Sequence, residues 1–370
     1  MNTTLLLMTA TAALAADPIT PDAEAMMRWH LSLWEDASRR GAAFTPMRST
    51  NPEWDFMART FVVLGLSNVA LAQPDRAVEL LPVIDTIIED TIRYEASFGQ
   101  ASFLLSYAQA RPWKDPSEKS LFIDGEIALM IGARRMVKDD GRWNDAHHPR
   151  IESAVGQIAR SPSMLGESYP DETWLFCNTV ALAAVSVYDA LEEGSDHTTL
   201  VDAWVERMKA EQLDPATGLL VSSTTWAGER KDGPEGSTIW LASHMLQFID
   251  PIFAQDQYDR ARDELGRTLL GMGYALEWPV GQENHVDVDA GEIVPILGAS
   301  TASSGLAIVA ARSFEDDRWH RALMRALERT AEPERIDGQL RYRRSNPVGD
   351  AVIFYGMVEG PMRRATADLR

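Results

Sequence analysis

From Pro21 to the C terminus, apolar residues recur at spacings of three and four, and alternating patterns are scarce. Met26, Met27, Trp29, His30, Leu33 and Trp34 make one such face, and Phe56, Thr60, Val63, Leu64 and Val69 a second. Leu80, Leu81, Ile84 and Ile87 make a third, within Ala77 to Tyr94. The series continues through Phe103–Ala108, Leu121–Met136, Ile151–Ile158, Ala181–Leu191, Leu200–Ala210, Ile239–Phe248 and Tyr258–Tyr274. Thr301–Arg312, Trp319–Leu327 and Val352–Met357 end it, so the pattern predicts about a dozen helices. Breakers such as Gln73-Pro74, Asp214-Pro215 and Asn346-Pro347 fall between the faces, and no long Ser/Gly/Pro linker divides the chain. The expectation is an all-α fold in one domain over residues 17–370, with the helical hairpins closed into a ring around a central cavity. A helical solenoid is the alternative, but no fixed sequence period is visible.

With 370 residues the chain is long enough for one large core. Its net charge of −20 repels phosphate backbones and anionic lipid surfaces, so nucleic acid and membrane partners are not expected. Residues 1–16 read as a secretory signal: Leu5–Ala15 is a short apolar run ending in small residues, although no Lys or Arg precedes it. The expected location is a periplasm or the exterior, and no other stretch reads as a membrane helix. The single cysteine, Cys177, excludes an intrachain disulfide and makes a Cys–His metal site untenable.

Polar groups concentrate in a few places. The segment from Glu167 to Leu191 begins with hydroxyls, carboxyls and the thiol, then becomes a helix of small and apolar residues. Pro170 suits a first helical turn, which would put Asp171 and Glu172 where the helix dipole favours negative charge. The bland reading of this segment is a capped core helix; the sharper one is the rim of an active site. Asp232 to Trp240 carries glycines ahead of a helix. Asp287 and Asp289 lie two apart, on one side of an extended segment, and suit a cation, a sugar hydroxyl or a cap equally. His147 and His148 read as a surface pair at a helix start; His197, His244 and His320 read as structural.

Tyr169-Pro-Asp-Glu-Thr-Trp-Leu-Phe-Cys-Asn-Thr179, followed by Val187-Tyr-Asp-Ala-Leu191, resembles the core segment of the linalool dehydratase/isomerase family. The likeness extends through Asp214-Pro-Ala-Thr-Gly-Leu219, Trp240, Ile249-Asp-Pro251, Gln257-Tyr258, Asp287-Val-Asp-Ala-Gly291 and Ser303–Arg312, with Asp115-Pro-Ser-Glu-Lys119 and Gly125 upstream. The resemblance implies an (α/α)6 toroid, an exported protein, a cyclic homo-oligomer and a small-molecule substrate. Site positions transfer with substitutions. The first-helix acid and tyrosine fall on His30 and Asp36, the site histidine on Glu126, the two cysteines on Ser168 and Cys177, and a tyrosine near Ser237.

These residues suggest three functions. The first is a cofactor-independent lyase or isomerase acting on a small alcohol or terpenoid-like molecule. Glu126 is the first acid/base candidate there, with His30, Asp36, Ser168 and Cys177 beside it. Tyr169, Asp171, Trp174, Ser237, Asp287 and Asp289 are the candidate substrate contacts. The second is a glycosidase-like enzyme, which needs two carboxyls roughly 5–10 Å apart across an open groove. The third is a small-molecule-binding toroid without catalysis. No metal site and no cofactor are expected.

Overall fold

The computed structural model describes residues 19–282 and 291–370. Its helices are α1 Pro21–Glu35, α2 Ala37–Thr50, α3 Pro52–Ala72, α4 Ala77–Phe98, α5 Leu121–Val137, α6 Asn144–Arg160 and α7 Leu175–Leu191. After them come α8 Thr198–Glu211, α9 Gly236–Leu246, α10 Pro251–Glu264, α11 Thr301–Ser313, α12 Asp317–Thr330, α13 Pro347–Val358 and α14 Pro361–Leu369. Many starts are written locally. Thr20, Asp36, Asn51, Asp250 and Asn346 each accept backbone N–H groups as caps, and Pro52, Pro251 and Pro347 open their helices where a missing N–H costs nothing.

Six helices pack side by side in a closed cycle: α3 against α5, α5 against α7, α7 against α9, α9 against α11, α11 against α13, and α13 back against α3. The helices between them in sequence back this inner ring, with α4 across α3 and α5, α6 across α5 and α7, α10 on α9 and α12 on α11. The N-terminal helix α1 lies against the outside of α13. The fold is therefore an all-α toroid. Its inner helices are apolar nearly all round: every residue of α7 from Leu175 to Tyr188 is buried.

Small residues set the closest approaches. A Cβ on Gly125 would stand 2.8 Å from Ala181 Cβ, so this glycine fixes the α5–α7 spacing. One on Gly65 would stand 2.5 Å from the Phe354 ring between α3 and α13. The bore is filled at depth. Tyr355 of α13 places its hydroxyl 2.7 Å from His244 Nε2 on α9, and its ring 5.9 Å from Phe61 of α3. Below that floor α14 crosses α3, α5 and α7, and Asn68 accepts from Met362 N at 2.9 Å.

Among the described residues, four small antiparallel sheets sit in the connections. The first is β1 Thr173–Trp174, β2 Ser223–Thr224 and β3 Arg230–Asp232. The hairpins are β4 Gly266–Leu269 with β5 Met272–Ala275, β6 Ile293–Val294 with β7 Ala299–Ser300, and β8 Pro333–Ile336 with β9 Gln339–Tyr342.

Several sequence expectations change. Tyr258–Tyr274 is not one helix: α10 ends at Glu264 and the β4–β5 hairpin follows, because Leu270 and Gly271 both take positive φ (51° and 76°), the requirement of a two-residue hairpin turn. Phe103–Ala108 forms two short 3₁₀ turns, Gln100–Phe103 and Ser106–Gln109, rather than a helix. Helices α2 and α14 were not anticipated; α2 carries Pro46 inside it and shows little apolar periodicity. Helix α3 is also long and apolar enough to cross a membrane, against expectation, but it is an inner-ring helix whose apolar window is 83% buried in the protein. Residues 1–16 lie outside the described residues.

Candidate active site

The first turns of the inner helices gather at one end of the ring. Glu53 stands in the first turn of α3, and Thr60 lies seven residues on, hence on the same face. Across the α3–α5 contact Glu126 occupies the second turn of α5, and its Oε2 accepts the Thr60 hydroxyl at 2.5 Å. Gly125, beside it, lets α5 sit against Ala181, so the α5–α7 approach fixes the depth of Glu126.

Tyr169 arrives from the loop before α7. Its hydroxyl donates to Glu53 and accepts the Leu105 N–H at 2.8 Å. That loop is held by Glu167, whose buried carboxylate accepts the backbone N–H groups of Lys114, Asp115 and Asp171 at 2.5–3.0 Å. Asn51 completes the surroundings of Glu53, donating to Oε2 at 3.3 Å.

Both carboxyls are out of water, Glu126 at 1% exposure and Glu53 at 8%. Burial pushes Glu126 up to about 8, with the Thr60 hydrogen bond opposing. Burial likewise raises Glu53 to about 7; the bonds from Tyr169 and Asn51 oppose, and the charges of Glu126 and Glu172 add to the rise. The first turn of α3 favours an anion at Glu53, yet desolvation wins there as it does at Glu126. Burial beside Glu53 also raises Tyr169 far above the usual phenol range, so it stays a proton donor.

Outside this pair lies a polar cover. Tyr107 stacks on Tyr169 with centroids 4.6 Å apart, and its hydroxyl donates to Glu172 at 3.0 Å. Glu172 also accepts from Trp174 Nε1 at 2.8 Å and pairs with Lys231 of β3. Phe56 and Phe122, with ring centroids 5.1 Å apart, bring aromatic surface to the α3–α5 contact.

The expected residues fare differently. Glu126, Tyr169 and Trp174 belong to this cluster. Cys177 is buried in the first turn of α7, one turn above Ala181. Ser168 is buried in the loop, where its hydroxyl accepts from Trp174 N at 3.2 Å and its carbonyl from Ser120 at 2.7 Å. Asp171 is half-buried, with Oδ1 3.4 Å from Trp226 N and Oδ2 3.7 Å from Lys114 Nζ. Pro170 and Asp171 do not open a helix: Asp171 has φ 56° and α7 begins at Leu175, because the Tyr169–Glu172 bridge turns the chain first. Ser237, the second residue of α9, donates both its hydroxyl and its N–H (3.2 Å) to the buried Glu277.

Two first-helix expectations are corrected. Asp36 is exposed and caps α2, accepting from Ser38 N at 2.8 Å and Arg39 N at 3.2 Å, so it does not join Glu126 within the chain. His30 is buried against Phe354, 5.7 Å between rings, and beside the Asp350 backbone; burial lowers it to about 4. It sits between α1 and α13 rather than in the acid cluster. Asp287 and Asp289 lie outside the described residues. The expected surface pair His147–His148 is split, since His147 is buried 3.2 Å from Arg135 and lowered to about 3, chiefly by desolvation. His197 bonds to Asp189 at 2.7 Å.

The residue that sequence reasoning missed is Glu53. The signal was present: Asp55 and Arg59 satisfy each other four residues apart, at 3.0 Å, leaving Glu53 as the unpaired charge on an otherwise apolar helix. Among the described residues no group of three or more His, Cys, Asp or Glu is arranged to hold a metal ion.

Solved structures with this architecture include a GH76A α-1,6-mannanase from Salegentibacter sp. HEL1_6, with TM-score 0.52 and 11% identity over 86% of this chain and 90% of that one. An inactive variant of that enzyme, changed at two adjacent aspartates and bound to α-1,6-mannotriose, gives a TM-score of 0.51 at 11% identity over the same shares. A GH76 α-mannanase from Bacteroides thetaiotaomicron gives 0.51 and 11%, over 84% and 86%. At that identity the likeness is one of fold. The sequence profile described as linalool dehydratase/isomerase matches residues 130–348, which take in α7, the Glu167–Trp174 loop and the inner helices α9 and α11, while Glu53 and Glu126 lie upstream. More than half of the chain carries that match, and the protein belongs to the linalool dehydratase/isomerase family.

Proposed function

We propose that the protein is a lyase or isomerase that adds or removes water at a small, uncharged alcohol, with Glu53 and Glu126 as its acid/base pair. The observation carrying this reading is two buried carboxyls that burial raises toward neutrality, Glu126 adding its charge to the rise of Glu53 and Glu53 bonded to a tyrosine. Matched to the working pH, such groups exchange protons with least cost. In the dehydration direction Glu126 gives its proton to the leaving hydroxyl, the C–O bond breaks and water departs. Glu53, as carboxylate, takes a proton from the neighbouring carbon, and that C–H pair becomes the new C=C bond. A proton passed from Glu53 to Glu126 through water restores the starting state. Isomerisation returns water to the far end of an allylic system by the same steps reversed. Tyr169 orients Glu53 and supplies a hydrogen bond in either state. The closed surroundings, with Phe56, Phe122 and Trp174 nearby, favour an apolar substrate such as a terpenoid alcohol.

The glycosidase alternative is less well supported. The mannanase with this fold is inactive without two adjacent aspartates. The two such pairs here serve other ends: Asp139 and Asp140 pair with Arg135 and Arg134 past the end of α5, and Asp316 caps α12. Export through residues 1–16 and a cyclic homo-oligomer complete the proposal. Of the two first-helix candidates His30 is buried, whereas Asp36 is exposed and so placed to reach a neighbour's site.

The test is turnover of a tertiary allylic terpenoid alcohol such as linalool, followed by loss of water to the diene. Glu126→Gln is expected to abolish turnover while the melting temperature stays within a few degrees. A fully active Glu126→Gln enzyme would refute the assignment.

A further inference from the structure

We propose that the groove between α1–α2 and the β8–β9 hairpin is a second binding site, which takes a small molecule with a flat apolar body and one anionic group. Two adjoining hollows of about 410 and 440 Å³ open there and share Trp29, Ala43 and Arg341. Each is within the range of a small-ligand pocket. The groove lies on the outer side of the first turn of α3: Trp54 faces it, whereas the carboxyl of the preceding residue, Glu53, is turned to Tyr169. It is thus separate from the acid pair, and the inference does not rest on the proposed reaction.

The lining specifies the ligand. Trp29 offers an aromatic face, its buried indole N–H has no partner among the described residues, and the Arg341 guanidinium stands 5.2 Å from its ring centroid. Arg343 also lines the groove; its side chain is 63% exposed and its carboxylate neighbour, Glu332, is 4.0 Å away. In a chain of net charge −20, arginines concentrated around a tryptophan-walled hollow mark a local preference for anions. Three carboxyls line the groove: Glu334 pairs with Arg341, Asp350 is held up to about 7 by burial, and Asp337 shares the outer hollow with Arg39, which leaves the inner hollow beside Arg343 as the place for an incoming anion. Arginine can bond a carboxylate through two N–H groups while its plane stacks on an aromatic ring. A flat body over Trp29 with its carboxylate toward Arg341 and Arg343 would use both.

The probe is 1-naphthylacetate, titrated into the full chain by calorimetry and followed by saturation-transfer NMR. Saturable binding with a Kd below about 1 mM is expected. Arg343→Gln, at an exposed position, should weaken it several-fold, and Arg341→Gln about ten-fold. The uncharged 1-naphthylacetamide should bind about ten-fold more weakly than the acid. Ala43→Trp, which fills the wall common to both hollows, should abolish binding while Glu126-dependent turnover persists. No binding by the wild type, or wild-type affinity in Ala43→Trp, would overturn the assignment. So would equal affinity for the amide, or a groove covered by a second copy at the concentrations used.

Discussion

At the scale of single residues the account rests on one competition, between burial and hydrogen bonding at two carboxyls. Desolvation moves Glu126 and Glu53 from their ordinary 4.5 to about 8 and about 7. Both bind a proton more tightly folded than unfolded. Their stabilising protonation is therefore complete below about 4.5 and is lost as pH rises through 7 and 8. The unfolding free energy should fall across that window by at most about 1.4 kcal/mol per pH unit for each carboxyl. Glu126→Gln should flatten the upper part of the fall, as read by urea unfolding at several pH values; an unchanged slope would contradict the assignment. Tyr169→Phe removes a bond that holds Glu53 down and leaves the Leu105 N–H without its acceptor. That variant should lose about 1–3 kcal/mol, and Glu53 should titrate higher than in the wild type.

At the scale of elements, position follows from contact. Glu126 is presented at the mouth because α5 lies close against α7, and that closeness depends on Gly125 facing Ala181. Gly125→Ala should cost about 1–3 kcal/mol through overpacking and should misplace Glu126. Adding Ala181→Gly should recover much of the loss, which a double-mutant cycle measures. Helical elements were largely legible in the sequence because burial of one face imposes the 3.6-residue period. The segment Tyr258–Tyr274 misled because its apolar residues also suit a helix, and only the Leu270–Gly271 turn reveals the hairpin. Pro170 misled for a related reason. A proline fits a helix start or a turn equally, and the backbone bonds to Glu167 and Glu172 decide for the turn.

At the scale of the whole molecule, the toroid assembles residues far apart in the chain: Glu53 and Thr60 from α3, Glu126 from α5, Tyr169 and Glu172 from the loop before α7, and Lys231 from β3. The family resemblance led to Glu126 and Tyr169, since both lie in or near matched motifs. It did not lead to Glu53, which lies outside the matched motifs and whose partner is 116 residues away; the one local sign was its place as an acid without a basic partner on an apolar helix. It also drew attention to Asp36 and His30, which this chain uses as a helix cap and as packing against Phe354. The direct measurement of the central claim is a ¹³C NMR titration of the glutamate carboxyls. Two resonances should titrate with midpoints near 7 and 8, one disappearing in Glu53→Gln and the other in Glu126→Gln. If those two assigned carboxyls instead titrate near 4.5, the pair is an ordinary solvated one and the proposed acid/base chemistry fails.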